Sequence, residues 1–165
     1  MTTYGIGRGF LLLDSTLVPA ADRRYAATLD GMDRYARPVT LAELRTQPPL
    51  ALLVTGGSAV SVNGVRFGKG HGYFDLEWAM LSEIGLADGR SQVVDVVHDC
   101  QVVDETLVGE DHDVAVDWIV TPTRTIEVPD CGRSIGRVRW ELLEGSPLAT
   151  IPPILELRAT RPEQG

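Results

Sequence analysis

Lysine is nearly absent from this sequence: Lys69 is the single one, and every other basic side chain is an arginine. Absent too is any apolar run near the roughly 20 residues that a membrane-spanning helix needs, so no membrane partner is expected. The amino terminus, MTTYGIGRG, lacks the charged-then-apolar layout of a secretory signal, and the expected setting is the cytoplasm. Cysteine is scarce. Cys100 and Cys131 have no CxxC spacing, which excludes the usual zinc and disulfide frameworks and predicts two free thiols. No Lys/Arg cluster interrupts a balance of 15 basic against 23 acidic residues, and the net charge of −8 would repel a duplex nucleic acid. An anionic ligand therefore needs local help. Internal repeats and low-complexity linkers are missing as well, and 165 residues at 44% hydrophobic predict one globular domain with its own core.

Three runs rich in branched aliphatic residues read as buried strands: residues 51–54, 92–97 and 114–120. The first continues through Gly56 and Gly57 into residues 59–62. There Asn63-Gly64, followed by Val65, Arg66 and Phe67, predicts a tight hairpin, because Asn-Gly accepts the positive φ angles of a type I′ turn. A second hairpin is expected near the start, from residues 10–13 and 16–18 flanking Asp14-Ser15. Helical spacing appears after Asp75, where Leu76, Ala79, Met80 and Ile84 share a face, Glu77 and Glu83 are left to solvent, and Gly85 supplies a stop. Tyr25, Ala26, Leu29 and Met32 suggest another helix, and Thr40-x-x-Glu43 is a capping-box signature ahead of Pro48-Pro49. The last residues, 158–165, read as an extended tail. Strands alternating with helices predict an α/β fold, a three-layer αβα arrangement with a mostly parallel sheet decorated by hairpins. Ligands gather beyond the carboxyl ends of such strands, which puts Gly56-Gly57, the glycine-rich loop after Phe67, His98-Asp99 and residues 121–124 on one rim.

The hairpin delivers the chain to FGKGHGYFD, residues 67–75, with Gly68, Gly70 and Gly72 at alternate positions. Without Cβ atoms, these glycines let successive N–H groups turn toward one point, and the helix that follows adds its positive end there. A protein of net negative charge can hold a phosphate in this way. Lys69 and Arg66 are placed to neutralise polyphosphate oxygens, and Asp75 to carry the Mg²⁺ that a nucleotide brings. The spacing is neither a Walker loop nor a Rossmann fingerprint. The plain alternative is a flexible turn in which Asp75 only caps a helix or meets its dipole. Other candidates are weaker: His98-Asp99 and His112-Asp113 lie beside strand ends, where a polar cap is more common than a metal ligand, and Asp117 reads as a hydrogen-bonded strand residue. Ser58 lacks the G-x-S-x-G elbow of a serine hydrolase. Trp78, Trp118 and Trp140 read as core.

Four stretches in this order, VTGGSAVSVNGVRFGKGHGYFDLEWAML, VVHDCQVVD, EDHDVAVDWIVTPTRTI and the later GRVRWELLE with IPPILELR, resemble the 5-formyltetrahydrofolate cyclo-ligase (methenyltetrahydrofolate synthetase) family. The likeness is greatest to its synthetase-domain-containing branch and covers roughly residues 10–157. The resemblance implies the three-layer fold of ribose-5-phosphate isomerase and the coenzyme A transferases. It also implies ATP- and Mg²⁺-dependent ring closure of a reduced formyl folate: the formyl oxygen takes the terminal phosphoryl group of ATP, the neighbouring nitrogen closes on the activated carbon, and phosphate leaves. Such chemistry depends on positioning and charge neutralisation. By motif matching, Arg66, Phe67, Gly68, Lys69, Gly70, His71, Gly72 and Tyr73 would contact ATP, with Lys69 and Tyr73 the catalytic candidates. Gly56, Gly57 and Tyr73 would meet the substrate, and Asp75 and Asp113 would hold Mg²⁺. The family ordinarily carries a helical segment ahead of the portion matched here; residues 1–165 are expected to be a single cyclo-ligase-like domain without it, with a homodimer or a second chain in its place. The alternative within the same resemblance is a weak or inactive module that binds a nucleotide or a partner.

Overall fold

The computed structural model describes residues 1, 2 and 4–161. In chain order its strands and helices are β1 (Phe10–Leu12), α1 (Arg23–Ala26), α2 (Leu29–Tyr35), β2 (Arg37–Val39), α3 (Leu41–Leu44), β3 (Leu52–Thr55), β4 (Ala59–Ser61) and β5 (Arg66–Phe67). They continue as α4 (Tyr73–Glu83), β6 (Gln92–Val96), β7 (Val102–Val103), β8 (Trp118–Val120), β9 (Thr125–Glu127), α5 (Trp140–Leu143) and α6 (Pro152–Thr160). The class is α/β, as the two hydrophobic periods predict. The chain divides into two compact units, one of residues 1–46 with the chain from Trp140 onward, the other of residues 47–139.

In the first unit β1 pairs antiparallel with β2, Phe10 opposite Val39. The hairpin expected from residues 10–13 and 16–18 does not form. The Asp14 carboxylate accepts from both the amide and the hydroxyl of Thr16, at 2.9 and 2.6 Å, so the chain turns locally without returning as a strand. The helix expected on Tyr25, Ala26, Leu29 and Met32 is broken in two, because the Thr28 hydroxyl accepts the Gly31 amide at 3.1 Å and starts α2 afresh. Tyr25 and Leu29 consequently face outward. The capping box forms as its spacing predicts: the Thr40 hydroxyl accepts the Glu43 amide and the Glu43 carboxylate accepts the Thr40 amide, each at 3.1 Å. The expected extended tail at 158–165 is corrected in part, since α6 runs to Thr160. Its prolines stand at the first helical positions, where a missing N–H costs nothing, and Ile154 and Leu157 are buried. Residues 162–165 of that expectation lie outside the described residues.

The second unit is built on a four-stranded sheet in the order β3-β6-β8-β9, parallel at its first two pairings and antiparallel at the last. Leu53, Val93, Asp95 and Ile119 lie buried in it, whereas Leu52, Val54 and Val96 are exposed. In the register these three share the opposite side with Val94. A smaller sheet, β5-β4-β7, carries the hairpin. That hairpin forms, but not through a type I′ turn: only Gly64 has positive φ, +87°, while Asn63 does not. Gly64 donates to the Ser61 carbonyl at 2.9 Å and Ser61 to the Val65 carbonyl at 2.8 Å, a three-residue loop closed by a left-handed glycine. Asn63 instead spends its side-chain amide on the Leu107 carbonyl, 2.7 Å away.

Helix α4 starts at Tyr73, two residues before Asp75, and ends at Gly85 with φ +75°, a left-handed stop. The spacing identifies a single apolar face, yet Leu76, Trp78, Ala79, Met80, Leu81 and Ser82 are all buried. Glu83 is not merely solvated, because it accepts the Val138 amide at 2.8 Å. Gly136 explains the second buried side: a Cβ there would stand 2.5 Å from Trp78 and 2.8 Å from the Ala79 backbone, so only glycine lets this segment lie against the helix.

Candidate functional site

Antiparallel pairing of β4 and β5 ends at Phe67, and the chain then runs through residues 68–72 into the first turn of α4. Gly70 and Gly72 have φ of +77° and +63°, whereas His71 between them does not enter the left-handed region. Alternation of this kind is what turns successive N–H groups to one side in anion-binding nests. A Cβ added at Gly70 or Gly72 would meet nothing within 4 Å, so open space lies beside both. Among the described residues, the amides of Gly68, Lys69, Gly70, His71, Gly72, Phe74 and Asp75 donate no hydrogen bond to the protein. These are unspent donors in front of the positive end of an eleven-residue helix.

The side chains around this loop divide into outward and inward groups. Lys69 and His71 are exposed, and the His71 ring stacks on Tyr73 with centroids 5.2 Å apart. Phe67 is half exposed. Arg66 turns inward: its side chain is 6% exposed, and its guanidinium donates to Asp75 Oδ1 at 2.8 Å and lies 4.5 Å from the centre of the Phe74 ring. Asp75 Oδ1 also accepts the Val114 amide at 3.0 Å, which ties the loop to the segment carrying Asp113. Its other oxygen, Oδ2, accepts no hydrogen bond among the described residues. The Asp113 carboxylate closes its own turn by accepting the Glu110 amide at 2.8 Å.

On the rim, Ser58 donates to the Phe67 carbonyl at 2.6 Å, which draws the Gly56-Gly57 turn beside the end of β5. The Gln101 amide fixes the same turn by donating to the Gly57 carbonyl at 2.7 Å. The structure thus brings together Gly57, Phe67, Arg66 and Asp75, and sets Asp113 next to the residue that binds Asp75. His98, Asp99 and His112 have their partners elsewhere. His98 accepts the Cys100 amide, Asp99 accepts the hydroxyls of Thr121 and Thr123 at 2.6 Å each, and His112 faces Glu110. Those hydroxyls hold the Asp99 carboxyl below its ordinary range. Asp117 is hydrogen-bonded as expected, to the Val93 amide and Arg133. Cys100 and Cys131 are free thiols.

One residue escaped the sequence reading. Asp95, in the middle of β6, is fully buried, and both its carboxylate oxygens lack a hydrogen-bond partner among the described residues. Burial pushes its carboxyl upward and the Arg66 charge opposes the shift. A Cβ on Gly57 would come 3.1 Å from Asp95 Oδ2, so the glycine turn passes directly over this acid. The signal was a lone aspartate inside the apolar run QVVDVV.

Residues 13–122 match the model of the 5-formyltetrahydrofolate cyclo-ligase family. The chain belongs to the 5-formyltetrahydrofolate cyclo-ligase family. The matched segment of this cyclo-ligase relative contains the whole loop, Asp75, Asp95 and Asp113. The chain is 40% identical over 144 residues to a methenyltetrahydrofolate synthase domain-containing protein of Mus musculus, covering 86% of this chain and 38% of that protein. A protein of the same name from Homo sapiens is 41% identical over 146 residues, covering 86% of this chain and 37% of that protein. The chain therefore spans less than two-fifths of the length of these relatives. Among the described residues no three His, Cys, Asp or Glu side chains form a group able to hold a metal by themselves. A cation carried by a triphosphate needs only one or two protein carboxylates, and the uncommitted Asp75 Oδ2 suits that demand.

Proposed function

We propose that the protein is an ATP- and Mg²⁺-dependent cyclo-ligase that converts 5-formyltetrahydrofolate to 5,10-methenyltetrahydrofolate, or closes a related ring on another formylated substrate. The observation that carries this reading is the set of unspent amides at residues 68–72, 74 and 75 beside open space, held by glycines at positive φ. A triphosphate would accept from these amides and from the first turn of α4. ATP, when bound, supplies the phosphoryl group that turns the formyl oxygen into a leaving group. Lys69, exposed at the loop and the chain's one lysine, neutralises the outer phosphate oxygens in this reading. Tyr73, stacked on His71, orients the formyl group, and Gly56-Gly57 forms the wall the folate approaches. Asp75, through Oδ2, and Asp113 are the proposed ligands of the nucleotide's Mg²⁺.

The three-layer fold of the isomerase and transferase group and a cytoplasmic setting belong to the same reading. The exposed Leu52, Val54 and Val96 favour a further layer over that side of the sheet, from a second copy or another chain, because parallel sheets are ordinarily covered on both faces. A concentration-independent monomer by light scattering would remove the homodimer. A second functional reading, a nucleotide-binding module without turnover, draws on the Arg66–Asp75 pair: each neutralises the other, which leaves less charge for catalysis.

The test is to supply protein, Mg·ATP and 5-formyltetrahydrofolate, and to follow methenyl absorbance together with ADP release. Product at a rate proportional to protein is expected. Nucleotide binding with no product at any protein concentration would leave the module reading in its place.

A further inference from the structure

Arg66 has one carboxylate in hand and a second within its field. It donates to Asp75 Oδ1 at 2.8 Å, yet its buried Nε has no acceptor among the described residues. Asp95 is the counterpart: two buried carboxylate oxygens, no donor on either, and Arg66 the charge that acts on them. Buried polar atoms without partners, an arginine Nε on β5 and a carboxylate on β6, are costly to keep. A fold that needed only the Arg66–Asp75 pair would do better with an apolar residue at position 95. The retained acid makes sense if Arg66 sometimes requires it.

The need arises at Asp75. A divalent cation drawn to its free Oδ2 would face the Arg66 guanidinium across a single carboxylate, and two cations sharing one carboxylate repel each other. We propose that Asp95 is the standby partner of Arg66: when a metal-bound triphosphate engages Asp75, Arg66 gives up Asp75 Oδ1 and pairs with Asp95. Asp95 is thus a positioning residue, acting through Arg66 and touching neither nucleotide nor metal. The neighbouring backbone is suited to the exchange. Gly57 passes over Asp95 with no side chain to block it, and Gly68 lies over Arg66, its missing Cβ 3.8 Å from Nη1. Both turns can follow a shift of the guanidinium without side-chain clash.

This inference rests on nucleotide binding at the glycine loop, and its test separates the two. ATP affinity is measured by calorimetry on the full chain, once with Mg²⁺ and once with a chelator, for the native protein and for Asp95→Asn, whose shape is kept and whose charge is lost. In the native protein Mg²⁺ should tighten ATP. In Asp95→Asn affinity without metal should stay within about twofold, while affinity with Mg²⁺ should fall about tenfold, since Arg66 can no longer leave Asp75. A merely structural aspartate would change both affinities alike or neither, and that result overturns the exchange while leaving ATP binding intact. No ATP binding by the native protein overturns the functional reading and the exchange together. Should Asp95→Asn fail to fold, the native protein labelled with ¹³C at aspartate γ-carbons gives the answer directly: the Asp95 resonance must move on adding Mg·ATP and not on adding ATP with chelator. An Asp95 signal indifferent to Mg²⁺ would refute the proposal.

Discussion

Replacing Gly70 by alanine separates the loop's fold from its function. At φ +77° a non-glycine residue pays roughly 1–2 kcal/mol, partly offset by the smaller entropy of the unfolded alanine chain, about 0.4–1 kcal/mol. No clash adds to this, because the new Cβ would find nothing within 4 Å. The net loss is therefore about 1 kcal/mol, a fall in melting temperature of roughly 2–4 °C for a chain of this size. The methyl group would nevertheless stand beside the amides that are to receive phosphate, so Mg·ATP affinity should drop at least about tenfold. Gly64→Ala is the control. It too lies at positive φ, +87°, but its Cβ would come 2.8 Å from the Val116 carbonyl and 3.1 Å from Val128. That substitution should cost several times as much, as overpacking of about 1–3 kcal/mol adds to the backbone strain. Thermal melts and ATP titrations on both variants decide the matter. A Gly70→Ala protein that melts as low as Gly64→Ala would mean the loop is packed; one that binds Mg·ATP as the native protein does would mean the cradle is not the site.

Asp75→Ala removes the carboxylate that pairs with the buried Arg66 and frees the Val114 amide; with Asp95 able to take over the guanidinium, chemical denaturation should register a loss of about 1–3 kcal/mol, below the roughly 3–5 kcal/mol of a buried charge left with no partner. Asp95 binds its proton more tightly folded than unfolded, since burial raises its pKa above the ordinary aspartate value, the Arg66 charge opposing in part. Its contribution is full below that value and is lost as pH rises through the higher folded value. Denaturation across pH should accordingly show a stability decline in that window that Asp95→Asn lacks, and an unchanged slope in the variant would contradict the assignment. Thr40→Ala should cost about 1 kcal/mol by removing the acceptor of the Glu43 amide, measurable as a lower denaturant midpoint at constant slope.

Local chemistry was legible where a residue's partners lie close in sequence. The Thr40–Glu43 box, the Gly85 stop and the strand cores at Leu53, Val93 and Ile119 follow from spacing alone. The bareness of residues 68–72 was legible too, because alternating glycines constrain the backbone before any tertiary contact forms. What failed depended on distant partners. Strand β1 found Arg37–Val39 instead of its sequence neighbour, and Asn63 was drawn from its turn geometry toward Leu107. Helix α4 acquired a second buried side from a segment 56 residues onward, the Ser134 carbonyl that accepts the Trp78 indole. Arg66 illustrates the same limit at the site. Its position before the glycines suggests an outward phosphate contact, whereas burial against Phe74, Asp75 and the charge of Asp95 turns it beneath the loop.

The most direct test of the central claim is to titrate the ¹⁵N-labelled protein with Mg·ATP and follow each backbone amide by NMR. Shifts concentrated at residues 68–75, with saturation at a common affinity, are the predicted result. Shifts confined to other segments, or none at saturating nucleotide, would contradict an anion-binding loop at the head of α4.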